Sequence, residues 1–253
     1  NNPTELAVLF NGQIFRANDM PRRYLPQMLA LTLTEPTWFL FFLGCIYGIR
    51  QSFLKNIDWR SLGVIFGYFV FMVIYLLYNK PSVYDGFRHF IFITPPIFII
   101  IGLSFKWISE KFKSFSVIII IFSLLPGIFG IIHLHPYEYA YYNQFSNGMS
   151  GAFRVYETDY WLTCYKEAIE WTGNNFPTST LHIQREYPLA EYYGKILKLR
   201  DLGKENEEDI QSGDLLLFHT RADLDIRSIY RKLRVVHVIG KDSAEFCIIK
   251  IKD

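Results

Sequence analysis

SLGVIFGYFVFMVIYLLY, residues 61–78, is a run of 18 residues without a charge. At 1.5 Å per residue, a helix of that length covers most of the roughly 30 Å of hydrocarbon in a bilayer. Two similar runs follow. Between Arg88 and Lys106 lie His89 and FIFITPPIFIIIGLSF, and between Lys113 and Glu138 lies a stretch that includes SVIIIIFSLLPGIFGII. These runs predict membrane helices at 61–78, 89–105 and 115–133, with Pro95-Pro96 interrupting the second. Upstream, Tyr24 to Ile49 is apolar but contains Glu35, Pro26 and Pro36. Because proline is harmless only in a first helical turn, this segment reads as an interfacial helix at about 24–33 and a short membrane helix at 36–49.

Beyond residue 134 the chain changes character. Residues 1–134 hold eleven Lys/Arg and six Asp/Glu, whereas 135–253 hold fifteen and eighteen. The expected division is therefore a membrane region, 1–134, followed by a soluble α/β domain, 135–253. The loops 50–60 (Arg50, Lys55, Arg60) and 106–114 (Lys106, Lys111, Lys113) carry three cations each, against Lys80 and Arg88 in 79–88. The positive-inside rule then puts the first two loops in the cytoplasm and the tail outside.

Within the tail, apolar spacing predicts a helix over Tyr160–Thr172, closed by Gly-Asn-Asn-Phe-Pro. Strands are expected at Leu181–Arg185 and Leu215–His219, and helices at Leu189–Leu197 and Asp223–Leu233. A hairpin at 235–239 and 246–251 closes the domain. Cys45, Cys164 and Cys247 are odd in number, far apart and in no metal spacing, which argues against a disulfide framework. No basic run is long enough to track a phosphate backbone, so nucleic acid is not an expected partner. Nucleotide-binding, hydrolase and metalloprotease signatures are missing. Ionisable groups sit at the ends of the apolar runs and not in their middles, unlike the pattern of a transporter.

Two stretches could carry chemistry. Tyr84-Asp85-Gly86-Phe87-Arg88-His89 places a carboxylate, a guanidinium and an imidazole at the lip of a membrane helix. An arginine fork there suits a lipid-linked phosphate. It equally suits snorkelling to headgroups while paired with Asp85. In the second stretch, His133 to Phe145, the histidines and Glu138 match no standard metal site. A divalent metal is compatible with the sequence but not indicated, and no cofactor can be read from it. Tyrosines here fit an interfacial aromatic belt, while Tyr137, Glu138 and Tyr141 could line a cavity for an acceptor. Thr158 or Asp159 in Tyr156-Glu157-Thr158-Asp159-Tyr160-Trp161 reads as a helix cap.

Four phrases taken in order resemble a known family: FNGQIFRANDMPRRYLPQMLALTLTEP (10–36), YDGFRHFIFITPP (84–96), HPYEYAYYNQFSNG (135–148) and YETDYWLTCYKEAIEW (156–171). They resemble the C-terminal half of bacterial family 39-like membrane glycosyltransferases, GT-C-fold relatives of the dolichyl-phosphate-mannose protein mannosyltransferases. The resemblance covers most of 10–172 and fades over the last 80 or so residues. It implies an integral enzyme of the bacterial inner or plasma membrane. Such an enzyme passes a sugar from a polyprenyl-phosphate donor to a protein or glycolipid acceptor on the outer side. By motif position, Arg88 falls near the donor phosphate, with Tyr84, Asp85 and His89 beside it. The acidic catalytic residue of the family is expected upstream, in a first outer loop that this sequence does not contain. The alternative expectation is a non-catalytic membrane-anchored module whose outer domain binds a partner or a glycan.

Overall fold

The computed structural model describes residues 5–253 and begins with a hairpin that the sequence reading overlooked. Strands β1 (Ala7–Phe10) and β2 (Gln13–Arg16) pair across Asn11-Gly12, whose φ angles are 51° and 70°. Asn-Gly is the pair that tolerates two left-handed residues in a tight turn.

The chain divides into two compact units. The first comprises Phe15–His135 and Tyr142–Ser146, together with Glu5 and Leu6. The second comprises Ala7–Ile14, Pro136–Tyr141 and Asn147–Asp253. A single boundary at 134/135 is thus crossed twice, once by β1 and once by residues 142–146.

In the first unit, α1 (Tyr24–Thr32) and α2 (Glu35–Phe53) meet at a bend of 106°. Pro36 sits in the first turn of α2, where no amide donor is missed. The Glu35 carboxylate accepts the Gln144 amide at 2.6 Å, which accounts for a charge at the head of an apolar helix. Asp58 caps α3 (Trp59–Asn79) by accepting from the amides of Arg60 and Ser61. Lys80, in the left-handed region, ends it.

The expected helix at 89–105 needs correction. Residues Arg88–Ile93 form a 3-10 turn kinked at Phe90, and α4 runs from Thr94 to Phe112. Pro95 and Pro96 do not interrupt a helix; they start one, because the first turn needs no intrahelical N–H donors. A break at Lys113 (φ 42°, ψ −110°) separates α4 from α5 (Ser116–Leu134).

Among the described residues two helical stretches are long and apolar enough to cross a membrane: α3, and the 47 residues from Arg88 to Leu134, which the break at Lys113 divides into α4 and α5 of 19 residues each. The bent pair α1–α2 makes a third if it is counted as one span, against the four separate membrane helices expected. Val64, Phe71, Ile74, Phe122, Phe129 and Ile132 all lie exposed on α3 and α5. So large an apolar surface is stable only against lipid or another apolar partner.

Packing is closest between α2 and α4. A Cβ on Gly44 would fall 2.1 Å from the Ile100 carbonyl oxygen, and one on Gly48 would fall 2.9 Å from Leu103 Cδ1. Small residues four apart let two backbones approach in this way. The Ser104 hydroxyl donates to the Leu40 carbonyl across the same seam. At one end of this unit the Tyr24 hydroxyl receives the Gly86 amide, and the Leu31 carbonyl receives that of Asn143.

The second unit is built on a mixed five-stranded sheet in the order β4-β3-β5-β7-β6. Its strands are β3 (Thr180–Ile183), β4 (Lys198–Asp201), β5 (Leu215–His219), β6 (Arg234–Lys241) and β7 (Ala244–Ile251). β3 is parallel to β4 and β5, while β7 is antiparallel to β5 and β6. α6 (Gly148–Ala152), α7 (Cys164–Asn175), α8 (Tyr187–Tyr193) and α9 (Leu224–Arg227) complete it.

Three expectations shift here. The helix expected from Tyr160 begins at Cys164. The one expected to reach Leu197 stops at Tyr193 and gives way to β4. The one over 223–233 shortens to α9 and a 3-10 turn. Contrary to the expectation of no disulfide, Cys164 and Cys247 are bonded, with Cα atoms 5.8 Å apart and a sequence separation of 83. Only the tertiary fold brings the start of α7 onto β7, so spacing in sequence carries no trace of the pair.

Candidate functional site

In the first unit, Asp85 and Gly86 both have left-handed backbone, with φ of 54° and 75°. The chain there turns sharply before the 3-10 segment. Val83 donates its amide to Ala17 and Gly86 donates to Tyr24, so the turn is pinned on both sides. It brings Tyr84, Asp85, Arg88 and His89 together. Arg88 Nη2 lies 2.9 Å from Asp85 Oδ2, and Arg88 Nε donates to His89 Nε2 at 3.3 Å. The guanidinium stands 5.5 Å from the Tyr84 ring centroid, and the Tyr84 and His89 rings are 4.7 Å apart. Asp85 is buried at 3% exposure while Arg88 keeps 31%. The pairing anticipated in the snorkelling reading is therefore present. It orients the guanidinium and leaves part of it accessible to an anion.

The other expected residues belong to the second unit. Tyr137 is a buried residue of the second unit. Its ring packs 4.6 Å from that of Phe246, and its hydroxyl donates to Glu167 at 3.3 Å. Burial, and then the neighbouring Glu167, push its phenol above the usual range. Glu138 opens a 3-10 turn and is half-buried, as is Tyr141.

A buried polar cluster in the second unit went largely unread. Asp159 accepts the amides of Thr163 and Cys164 and so caps α7 from four and five residues upstream. It also accepts the Tyr139 hydroxyl. The Tyr139 ring is 5.0 Å from both Tyr160 and Trp161. Burial raises the Asp159 carboxyl above the usual carboxylate range. His219, fully buried on β5, is pushed down to about 3 by burial, assisted by Arg185 and Arg221. Glu157 is buried too, and holds the amides of Leu9 and Ala222.

Ligand atoms of Asp159, Cys164 and His219 lie within 4.8 Å of one another. As they stand they do not offer a cation its donors. The Cys164 sulfur is engaged in the disulfide. The Arg221 amide donates to His219 Nδ1, which leaves Nε2 as the protonated nitrogen facing Asp159. The cluster is built like a structural core.

Comparison with known proteins gives no matching family model, no matching curated protein and no matching solved structure. A functional reading therefore rests on the residues and their geometry.

Proposed function

We propose that this chain is part of an integral-membrane glycosyltransferase that moves a sugar from a polyprenyl-phosphate donor to an acceptor on the outer side of the membrane. The observation that carries the reading is Arg88, part-exposed at the end of an apolar helical stretch and oriented by Asp85, His89 and Tyr84. A polyprenyl-phosphate leaving group departs with negative charge, and a fixed guanidinium stabilises that charge without reorganising. Isoprenoid chains need apolar surface beside the phosphate, which exposed Ile91 and Phe92 supply. In this proposal the bundle belongs to the GT-C class, and Arg88 serves the donor phosphate while a separate carboxylate acts on the acceptor.

The Cys164–Cys247 disulfide supports an outward second unit, because such bonds persist in oxidising compartments. The test is binding of polyprenyl phosphate to the detergent-solubilised full chain. Arg88→Ala should weaken it at least about tenfold, since a charge-assisted contact is worth roughly 1.5–3 kcal/mol. Arg88→Lys, which keeps the charge and loses the fork, should fall between. Equal binding by wild type and Arg88→Ala, with the helical content unchanged, would refute the donor site and favour a non-catalytic anchored module.

A further inference from the structure

Where α2 ends and α3 begins lies a cavity of about 540 Å³, lined by Ile49, Ser52, Phe53, Trp59, Leu62 and Phe66, with Lys55 also in the wall. Gly63 contributes no side chain, and a Cβ there would meet nothing within 4 Å. The walls are apolar except at one end. There, Lys55 is exposed and has no ion-pair partner among the described residues. Among the described residues Arg50 and Arg60 likewise form no ion pair; Asp58 is engaged in capping α3, and Glu110, which accepts the Tyr47 hydroxyl, pairs with Lys106. The Ser52 hydroxyl, buried in the wall, finds no hydrogen-bond partner. Buried hydroxyls in proteins are nearly always satisfied, so this one has unused capacity for a polar partner.

We infer that this cavity is a binding site for one anionic phospholipid, with an acyl chain between α2 and α3 and the phosphate against Lys55 and the Ser52 hydroxyl. Lys55 in the wall, with Arg50 and Arg60 flanking it in sequence and the neighbouring carboxylates already engaged, selects for negative charge. A groove walled by Phe53, Trp59 and Phe66 selects for a chain and against a soluble anion. Basic pockets between membrane helices hold anionic headgroups for the same reason. The inference is independent of the donor site at Arg88, which lies beyond the opposite end of α3.

The test uses the full chain in neutral detergent, with native mass spectrometry counting retained lipid. Phosphatidylglycerol and phosphatidylcholine of identical chains are titrated in turn. One phosphatidylglycerol should be retained in clear preference to phosphatidylcholine. Lys55→Gln should cut that preference about fivefold. Gly63→Leu, whose Cβ would meet nothing within 4 Å, should block the cavity and abolish retention of both. Equal retention of the two lipids would overturn the proposal, as would a Gly63→Leu protein that binds like wild type. Displacement of the lipid by inorganic phosphate alone would do so too, by showing an anion site without a lipid groove.

Discussion

His219 shows how far a single residue departs from what its neighbours in sequence suggest. In LLLFHT it reads as the polar end of an apolar strand. In the fold it pairs across the sheet with Cys247 and is closed off from solvent. Its pKa of about 3, against an ordinary 6.5, has a definite consequence for stability. Between those values the unfolded chain binds a proton that the folded core refuses. Stability of the disulfide-linked second unit should thus fall as pH drops from about 6.5 toward 3, by up to about 1.4 kcal/mol per pH unit. Asp159 works the other way, because its raised pKa costs stability as pH rises above the ordinary 3.8. A comparison with His219→Gln isolates the histidine. The stability difference between wild type and variant should be flat above about pH 7 and should fall steadily below it. Hydrogen exchange of β5 and β7 amides would read it. A difference that stays constant down to about pH 4 would mean the imidazole is protonated in place.

Among the elements, apolar helices were the most legible and their edges the least. An uncharged run of 18 residues has few alternatives to a helix in lipid, so α3 could be read directly. Pro95-Pro96 was misread because proline breaks an interior turn but suits a first turn, and a sequence does not say which turn it occupies. Asn11-Gly12 did carry a hairpin signal, hidden by the short β1 and β2 on either side. The α2–α4 seam also has a legible trace, Gly44-xxx-Gly48, which acquires meaning only when Ile100 is seen against it. Gly44→Ala should force the helices apart and destabilise the first unit by about 1–3 kcal/mol. Gly67→Ala on α3 meets nothing within 4 Å and should be neutral or slightly stabilising. Unfolding of both variants in mixed detergent micelles would show the contrast. If Gly44→Ala unfolds like wild type, the seam is looser than its geometry implies.

At the scale of the whole molecule, two kinds of evidence bear on orientation, and they have separate physical origins. One is the charge on the loops, three cations in 50–60 and three in 106–114 against two in 79–88. The other is the disulfide, which charge counting could not anticipate and which belongs to oxidising compartments. The candidate donor site was half legible in the same sense. Tyr84, Asp85, Arg88 and His89 are near neighbours in sequence and needed only one turn to converge, whereas the Asp159–His219 core depends on a sheet joining residues 60 apart. If both lines of evidence point the same way, an impermeant maleimide should label Asn79→Cys in intact cells and Asn56→Cys only after permeabilisation, each in a Cys45→Ser background. The second unit should migrate as disulfide-bonded in the same cells. Closing a loop of 83 residues should stabilise that unit by about 4–5 kcal/mol, so Cys164→Ser should visibly loosen it. The reverse labelling pattern, with both cysteines free, would place the second unit in the cytoplasm. A donor site at Arg88 would then face the wrong side for transfer to an outer acceptor, whatever its affinity for phosphate.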